Sequence, residues 1–267
     1  MWRRPSFLLF LCVACLFSAT ANAVIVDWDT LSWTPGTFTN SYDVDPAKAG
    51  NDVTVTVSGN TPQLQPEVVS PFPQTPAITT NFEGGLGTAQ NTLSLAVDFT
   101  NKTQSVTVTV DFSSLYTAGV QYVSFSLFDV DASNTGGSDY QDLLSSITAT
   151  AADGVTLVAP TITASSNNSL SGTGLTQTVN GMISTNDLGA GSGNANVMIS
   201  FGAAAIRSFT FTYGSGSAPG ADPTYQHVGL HDISFTPVPE LNPAWSALGS
   251  CLLAAVVILR HSAKFRK

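Results

Sequence analysis

The sequence predicts an all-β fold, an antiparallel β-sandwich of jelly-roll-like kind, and three observations carry that expectation. Apolar and hydroxyl residues alternate with period two over most of the middle of the chain, as in "NDVTVTVSG" and "SVTVTVDFS". This is the pattern of strands buried on one face and wetted on the other. Turn-rich clusters such as "NTGGSD", "SSNNSLSGTG" and "GSGSAPGADP" separate these runs. No stretch between residues 24 and 236 shows a helical period.

Taken in order, Val53, Val55 and Val57 share the face of one strand, with threonines between them. Leu93, Leu95, Val97 and Phe99 do the same in "TLSLAVDFT", and Val106, Val108, Val110 and Phe112 in the next run. Phe209, Phe211 and Tyr213 alternate in "RSFTFTYG", and "VGLHDISF" forms the last strand, ending near Phe235. Short strands at this spacing favour two packed sheets. One stretch interrupts the rhythm, "TPQLQPEVVSPFPQTPAITT" over 61–80, with five prolines. The segment before it is too small to fold alone. The expectation is therefore a single domain, 24–236, whose first strands join the sandwich across this Pro-rich crossing.

The two ends differ from the middle. "MWRRPSFLLFLCVACLFSATANA" carries Arg3 and Arg4, an apolar run from Phe7 to Phe17, and Ala21-Asn22-Ala23. That order predicts a signal peptide over 1–23, cut after Ala23. At the other end, Leu241–Leu259 is 19 residues without charge, about 28 Å as a helix and enough to cross a bilayer core. Arg260, Lys264, Arg266 and Lys267 follow it. The expectation is one C-terminal transmembrane helix over 241–259, within an anchor segment 237–267, with its basic tip cytoplasmic and the domain outside.

Between Val24 and Thr236 only Lys48, Lys102 and Arg207 are basic against 17 acidic residues, a net charge of −14. Such a surface repels nucleic acid and anionic lipid. All three cysteines (Cys12, Cys15, Cys251) lie in the end segments, so the domain is expected to stand without disulfides. The sequence carries no Gly-x-Ser-x-Gly or His-Glu-x-x-His pattern and only His227 and His231 within the domain. The reading is non-catalytic.

Acidic residues recur as Asp-x-Asp: Asp27-Trp28-Asp29, Asp43-Val44-Asp45 and Asp129-Val130-Asp131. In a strand, residues two apart face the same side, so each pair is expected to converge two carboxylates. In "VQYVSFSLFDVDASN" the apolar phase slips at Phe128 and Val130, which predicts a β-bulge there. Asp129-x-Asp131-x-Ser133, with Asp139 and Asp142 behind it, resembles the start of a calcium loop. Jelly-roll carbohydrate-binding modules hold a structural calcium between an early segment and an aspartate of the last strand, and Asp232 and Glu83 occupy comparable places. Two readings of Asp129, Asp131, Asp139 and Asp232 stand side by side. One is a structural calcium site; the other is turn-capping and solvation of strand ends. Trp28 and Trp33 are expected in the core or over a sheet edge rather than as sugar platforms.

Pro239-Glu240, the uncharged span and the basic tip together resemble the PEP-CTERM sorting tail of bacterial envelope proteins, with Leu241 where the most familiar form has a second proline. The resemblance implies recognition and processing by a membrane exosortase, and an association with extracellular polysaccharide and biofilm matrix. "DWDTLSWTPGTFTNSYDV", "VSFSLFDVDA" and "LHDISF" are similar to β-domains of many uncharacterised bacterial surface proteins. The expectation is an exported, envelope-anchored surface or extracellular-matrix protein with a structural or adhesive role. A calcium-supported carbohydrate-binding module is the alternative, and a secreted polysaccharide hydrolase the second.

Overall fold

The computed structural model describes residues 22–66, 73–80, 84–86, 90–133, 140–182 and 193–240. The expected signal peptide up to Ala21, the span 241–259, and the acidic residues Glu83 and Asp139 lie outside the described residues. The chain divides into two units, Asn22–Val238 and a second made of Met1–Ala21 with Pro239–Lys267. Of the second, only Pro239 and Glu240 are described.

Asn22–Val238 is all-β and antiparallel. The strands of its first half are β1 (Val24–Val26), β2 (Thr39–Tyr42), β3 (Val53–Gly59), β4 (Ala77–Thr79), β5 (Thr92–Val97), β6 (Ser105–Phe112), β7 (Val120–Phe128) and β8 (Asp142–Ala151). Those of its second half are β9 (Leu157–Val158), β10 (Thr161–Ala164), β11 (Asn168–Ser171), β12 (Thr178–Gly181), β13 (Val197–Ser200), β14 (Ile206–Ser215), β15 (Gln226–Leu230) and β16 (Ile233–Pro237). Two 3-10 turns, Thr61–Gln63 and Gly174–Thr176, are the helical elements among the described residues. Among the described residues no helix is long and apolar enough to cross a membrane.

Hydrogen bonds link the strands into one network that folds over itself in sandwich-like fashion. One layer runs β2-β3-β6-β14-β8-β12-β11, with β9 also on β8. The other centres on β7, flanked by β13 and then β10 on one side. Its other side is covered by β15 and β16 in succession, which carry β5 and β1 in turn. The layers join where Ile206 of β14 meets Val120 of β7.

The alternating residues explain this folding. Val53, Val55 and Val57 point inward, as do Val106, Val108 and Val110, and Phe209, Phe211 and Tyr213. Across the core, Phe125 of β7 stacks on Phe209 at 4.5 Å between centroids, and Phe112 meets Phe235 at 4.9 Å. Aromatic pairs at this range add to the area they bury. In β5 the outcome differs from simple alternation: Ser94 and Ala96 are buried as fully as Leu93 and Leu95. The Pro-rich stretch accounts for part of this, because it lies along that strand. Gln65 N–H donates to the Ala96 carbonyl at 2.9 Å, the Ala96 N–H to Thr75 Oγ1 at 3.1 Å, and β4 pairs directly with β5.

The phase slip at Phe128 has the one-residue offset expected of a bulge: Leu127 pairs with Val197, yet Val130 N–H donates to the Ala195 carbonyl at 3.1 Å. Phe128 ends β7, and Asp129 adopts a left-handed conformation with φ of 63°. A left-handed residue in a bulge sets two residues of one strand opposite one of its partner, which shifts the side-chain phase by one. Further irregularities fall near the left-handed Tyr122 of β7 and Ser146 of β8, beside register shifts in the β16 and β14 pairings.

Candidate functional site

Each Asp-x-Asp pair begins immediately after a strand: Asp27 after β1, Asp43 after β2 and Asp129 after β7. They lie in loops rather than strands; Asp27 and Asp29 both act on the Asp232 carboxyl, whereas the two Asp-Val-Asp pairs divide between inside and outside. Asp45 and Asp131 go inward and are buried, while Asp43 is exposed and Asp129 half-buried. In both Asp-Val-Asp loops a buried aspartate at the start of the next strand closes the turn. Asp52 Oδ2 accepts from the N–H groups of Val44 and Asp45 at 2.9 and 2.7 Å, and Tyr116 donates to Asp45 Oδ2 at 3.2 Å. Asp142 Oδ2 accepts from Asp131 N–H at 2.9 Å, and Asp142 Oδ1 from the Tyr213 hydroxyl at 2.6 Å. Satisfying backbone donors in this way is a usual task of buried aspartates in loops. Burial, with Asp131 close by, holds the Asp142 carboxyl well above its ordinary value, and burial likewise raises Tyr140 beside Asp131 and Asp142.

Asp232 belongs to another corner. It lies at the bend between β15 and β16, accepts Trp28 N–H at 3.0 Å, and has His231, Asp27 and Asp29 as its charged neighbours. His231 stacks on Phe128 at 4.8 Å and bonds Gln90 at 3.3 Å. The structure thus groups Asp131 with Asp142 and Tyr140, and Asp232 with the first Asp-x-Asp turn. Among the described residues no group of three or more His, Cys, Asp or Glu side chains converges as a metal site. Trp28 and Trp33 are buried and pack about Tyr42, with Trp28 edge-on to its ring at 5.9 Å.

His227 makes an edge-on contact with Tyr225 at 4.4 Å, and burial lowers its pKa to about 4 from 6.5. The folded protein then binds fewer protons than the unfolded chain between these values. His227 therefore adds stability above pH 6.5 that is lost as pH falls towards 4, about 3 kcal/mol for a shift of that size. His227→Gln is expected to flatten the fall in urea midpoint over that range. An unchanged slope would assign the acid sensitivity to other groups.

The broadest chemical feature of the domain is one that reading single strands does not show. Register aligns the solvent-facing residues of the β2-β3-β6-β14-β8 layer into rows. The central row is Thr39, Thr56, Thr109, Thr210 and Thr148, one threonine from each of five strands. On one side lie Ser41, Thr54, Asp111, Ser208 and Thr150. On the other lie Ser58, Thr107, Thr212 and Ser145. Of these 14 positions, 13 carry a hydroxyl and Asp111 alone a charge. Neighbours bond across strands: Ser41 with Thr54 at 2.8 Å, Thr107 with Thr212 at 3.1 Å, and Thr39 with Thr56 at 3.4 Å. Strand spacing sets hydroxyls about 4.8 Å apart within a row and rows about 6.8 Å apart. The Thr-x-Thr pairs at 54/56, 107/109, 148/150 and 210/212 were the available signal, but their alignment depends on pairing.

Comparison with protein-family models, with curated proteins and with solved structures returns no significant match.

Proposed function

We propose that this chain is an exported, non-catalytic surface or extracellular-matrix protein with a structural or adhesive role. In this reading a jelly-roll-like β-domain is displayed outside the cell, and segment 237–267 is its envelope anchor and sorting address. The observation that carries the reading is the broad hydroxyl face, uncharged at 13 of 14 positions, on a domain of net charge −14. A soluble domain keeps itself dispersed with charged side chains on its exposed faces. A wide face of short hydroxyls suits a surface that makes many weak hydrogen bonds at once, each worth about 0.5–1.5 kcal/mol. The deep aromatic core beneath it supplies rigidity.

The sorting part of the proposal rests on Pro239, Glu240, the span 241–259 and the basic tip, which resemble a PEP-CTERM tail. Its partners would be the membrane, the export machinery and an exosortase. Intact-mass measurement on fractionated cells tests both parts. The expected result is an envelope or extracellular protein that begins at Val24 and has lost its tail near Glu240. A mature form that keeps Lys267 would remove the sorting part. A wholly cytoplasmic pool would overturn the reading.

A further inference from the structure

We propose that the hydroxyl face of the β3-β6-β14-β8 layer is a docking site for a neutral polysaccharide chain, lying across the strands along the central threonine row. The inference deepens the adhesive reading and rests on it. Three observations select this occupant. The first is charge. The domain carries −14, so a polyanionic chain is repelled and so is a second copy of the same domain. An uncharged polymer meets no such barrier, and the face itself offers one carboxyl, Asp111, among hydroxyls.

The second is hydrogen-bonding capacity. Each Ser or Thr hydroxyl is both a donor and an acceptor. Cross-strand bonds such as Thr107 with Thr212 at 3.1 Å and Thr148 with Thr210 at 3.4 Å hold the array in place while leaving capacity free. Threonine is stiff at χ1, so little side-chain freedom is lost on binding. A sugar ring presents the matching mixture of donors and acceptors.

The third is shape. Adjacent strands of a β-sheet are typically rotated by about 20–25°, and at that twist a row crossing five strands turns through about 80–100°. A planar lattice such as an ice surface cannot follow that turn. A polymer with a rotatable linkage at every unit can.

The test is affinity electrophoresis of the full chain, extracted in a polyoxyethylene detergent without sugar groups, through gels containing hydroxyethyl cellulose, laminarin or alginate. Retardation by at least one neutral glucan and none by alginate is the expected result. Thr109→Val with Thr210→Val keeps shape and strand preference but removes two central hydroxyls. It should weaken the apparent Kd about tenfold, with an unchanged urea midpoint showing that the fold is intact. Thr163→Val, on β10 in the other layer, should leave retardation as it was.

Equal retardation of the double variant would overturn the assignment, as would no retardation by either neutral glucan or a preference for alginate. Inhibition of ice recrystallisation that the double variant abolishes would transfer the face to ice. Hydroxyl-dependent self-association would transfer it to a second copy. An envelope-located chain that ignores both glucans sinks this inference alone. A cytoplasmic chain that binds them sinks the export reading and leaves the site standing.

Discussion

Phe209→Ala is expected to cost about 3–5 kcal/mol of folding stability, read as a fall in urea midpoint followed by the fluorescence of the buried Trp28 and Trp33. Phe209 is fully buried on β14. Its ring lies 4.5 Å from Phe125, 5.9 Å from Phe201 and 6.3 Å from Phe112, measured between centroids. Those partners come from β7, from the segment after β13 and from β6. Removing the ring therefore opens a void where the two layers meet. Strands constrained by hydrogen bonds on either side can collapse into it only partly, so the cavity term adds to the lost transfer energy. A domain of ordinary stability holds about 5–15 kcal/mol in total, which makes this loss a large share. Thr210→Ala, one residue along and facing out, should cost under about 1 kcal/mol. Equal effects at the two positions would mean that the inward face of β14 is misassigned.

Gly181→Ala is the second large effect, expected to cost about 3 kcal/mol and to loosen the Asp129–Asp142 loop. Gly181 ends β12, and its backbone lies directly against that of Asp131. A Cβ there would overlap the Asp131 carbonyl and come within 2.6 Å of its Cα. Neither neighbour is the end of a flexible side chain. Asp131 is tied through its N–H to Asp142 Oδ2 and through its carbonyl to Asp142 N–H, both at 2.9 Å. Gly181 is itself held by Gln141 Nε2 at 2.8 Å. Relief requires breaking one of these bonds, and a buried carboxyl that loses a donor is costly. Gly220→Ala meets nothing within 4 Å and should leave the urea midpoint unchanged. If Gly181→Ala matches that control, the close approach of β12 to the loop is wrong.

These two positions show unequal legibility. Phe209 was readable as an inward residue because alternation with Ser and Thr needs no partner to interpret it. Gly181, in "VNGM", carries no such signal. Its importance comes from a loop 50 residues earlier, which topology alone places against it. The aspartates fall between these cases. Their clustering was visible and turn-capping was among the readings offered. The bulge at Phe128 was readable from the apolar phase. The inward and outward parting of Asp43 from Asp45 and of Asp129 from Asp131 was not, since same-side placement assumed that the strands continued through them. Nothing local distinguishes an aspartate in a strand from one ending it until Asp52 and Asp142 are seen accepting the loop N–H groups.

By itself, the sequence determined the class of fold, the inward faces of the main strands and the acidic, disulfide-free character of the domain. Each depends on local period or on composition, and neither changes with the order in which strands pair. The tertiary structure decided which aspartates meet, how the Pro-rich stretch lies on β5, and that four separate Thr-x-Thr pairs form one face. Those outcomes depend on register across strands far apart in the chain. A shift of one residue would turn every hydroxyl inward. The buried valines and phenylalanines on the opposite side of the same strands prevent that shift, so the apolar core is what keeps the hydroxyl face in alignment.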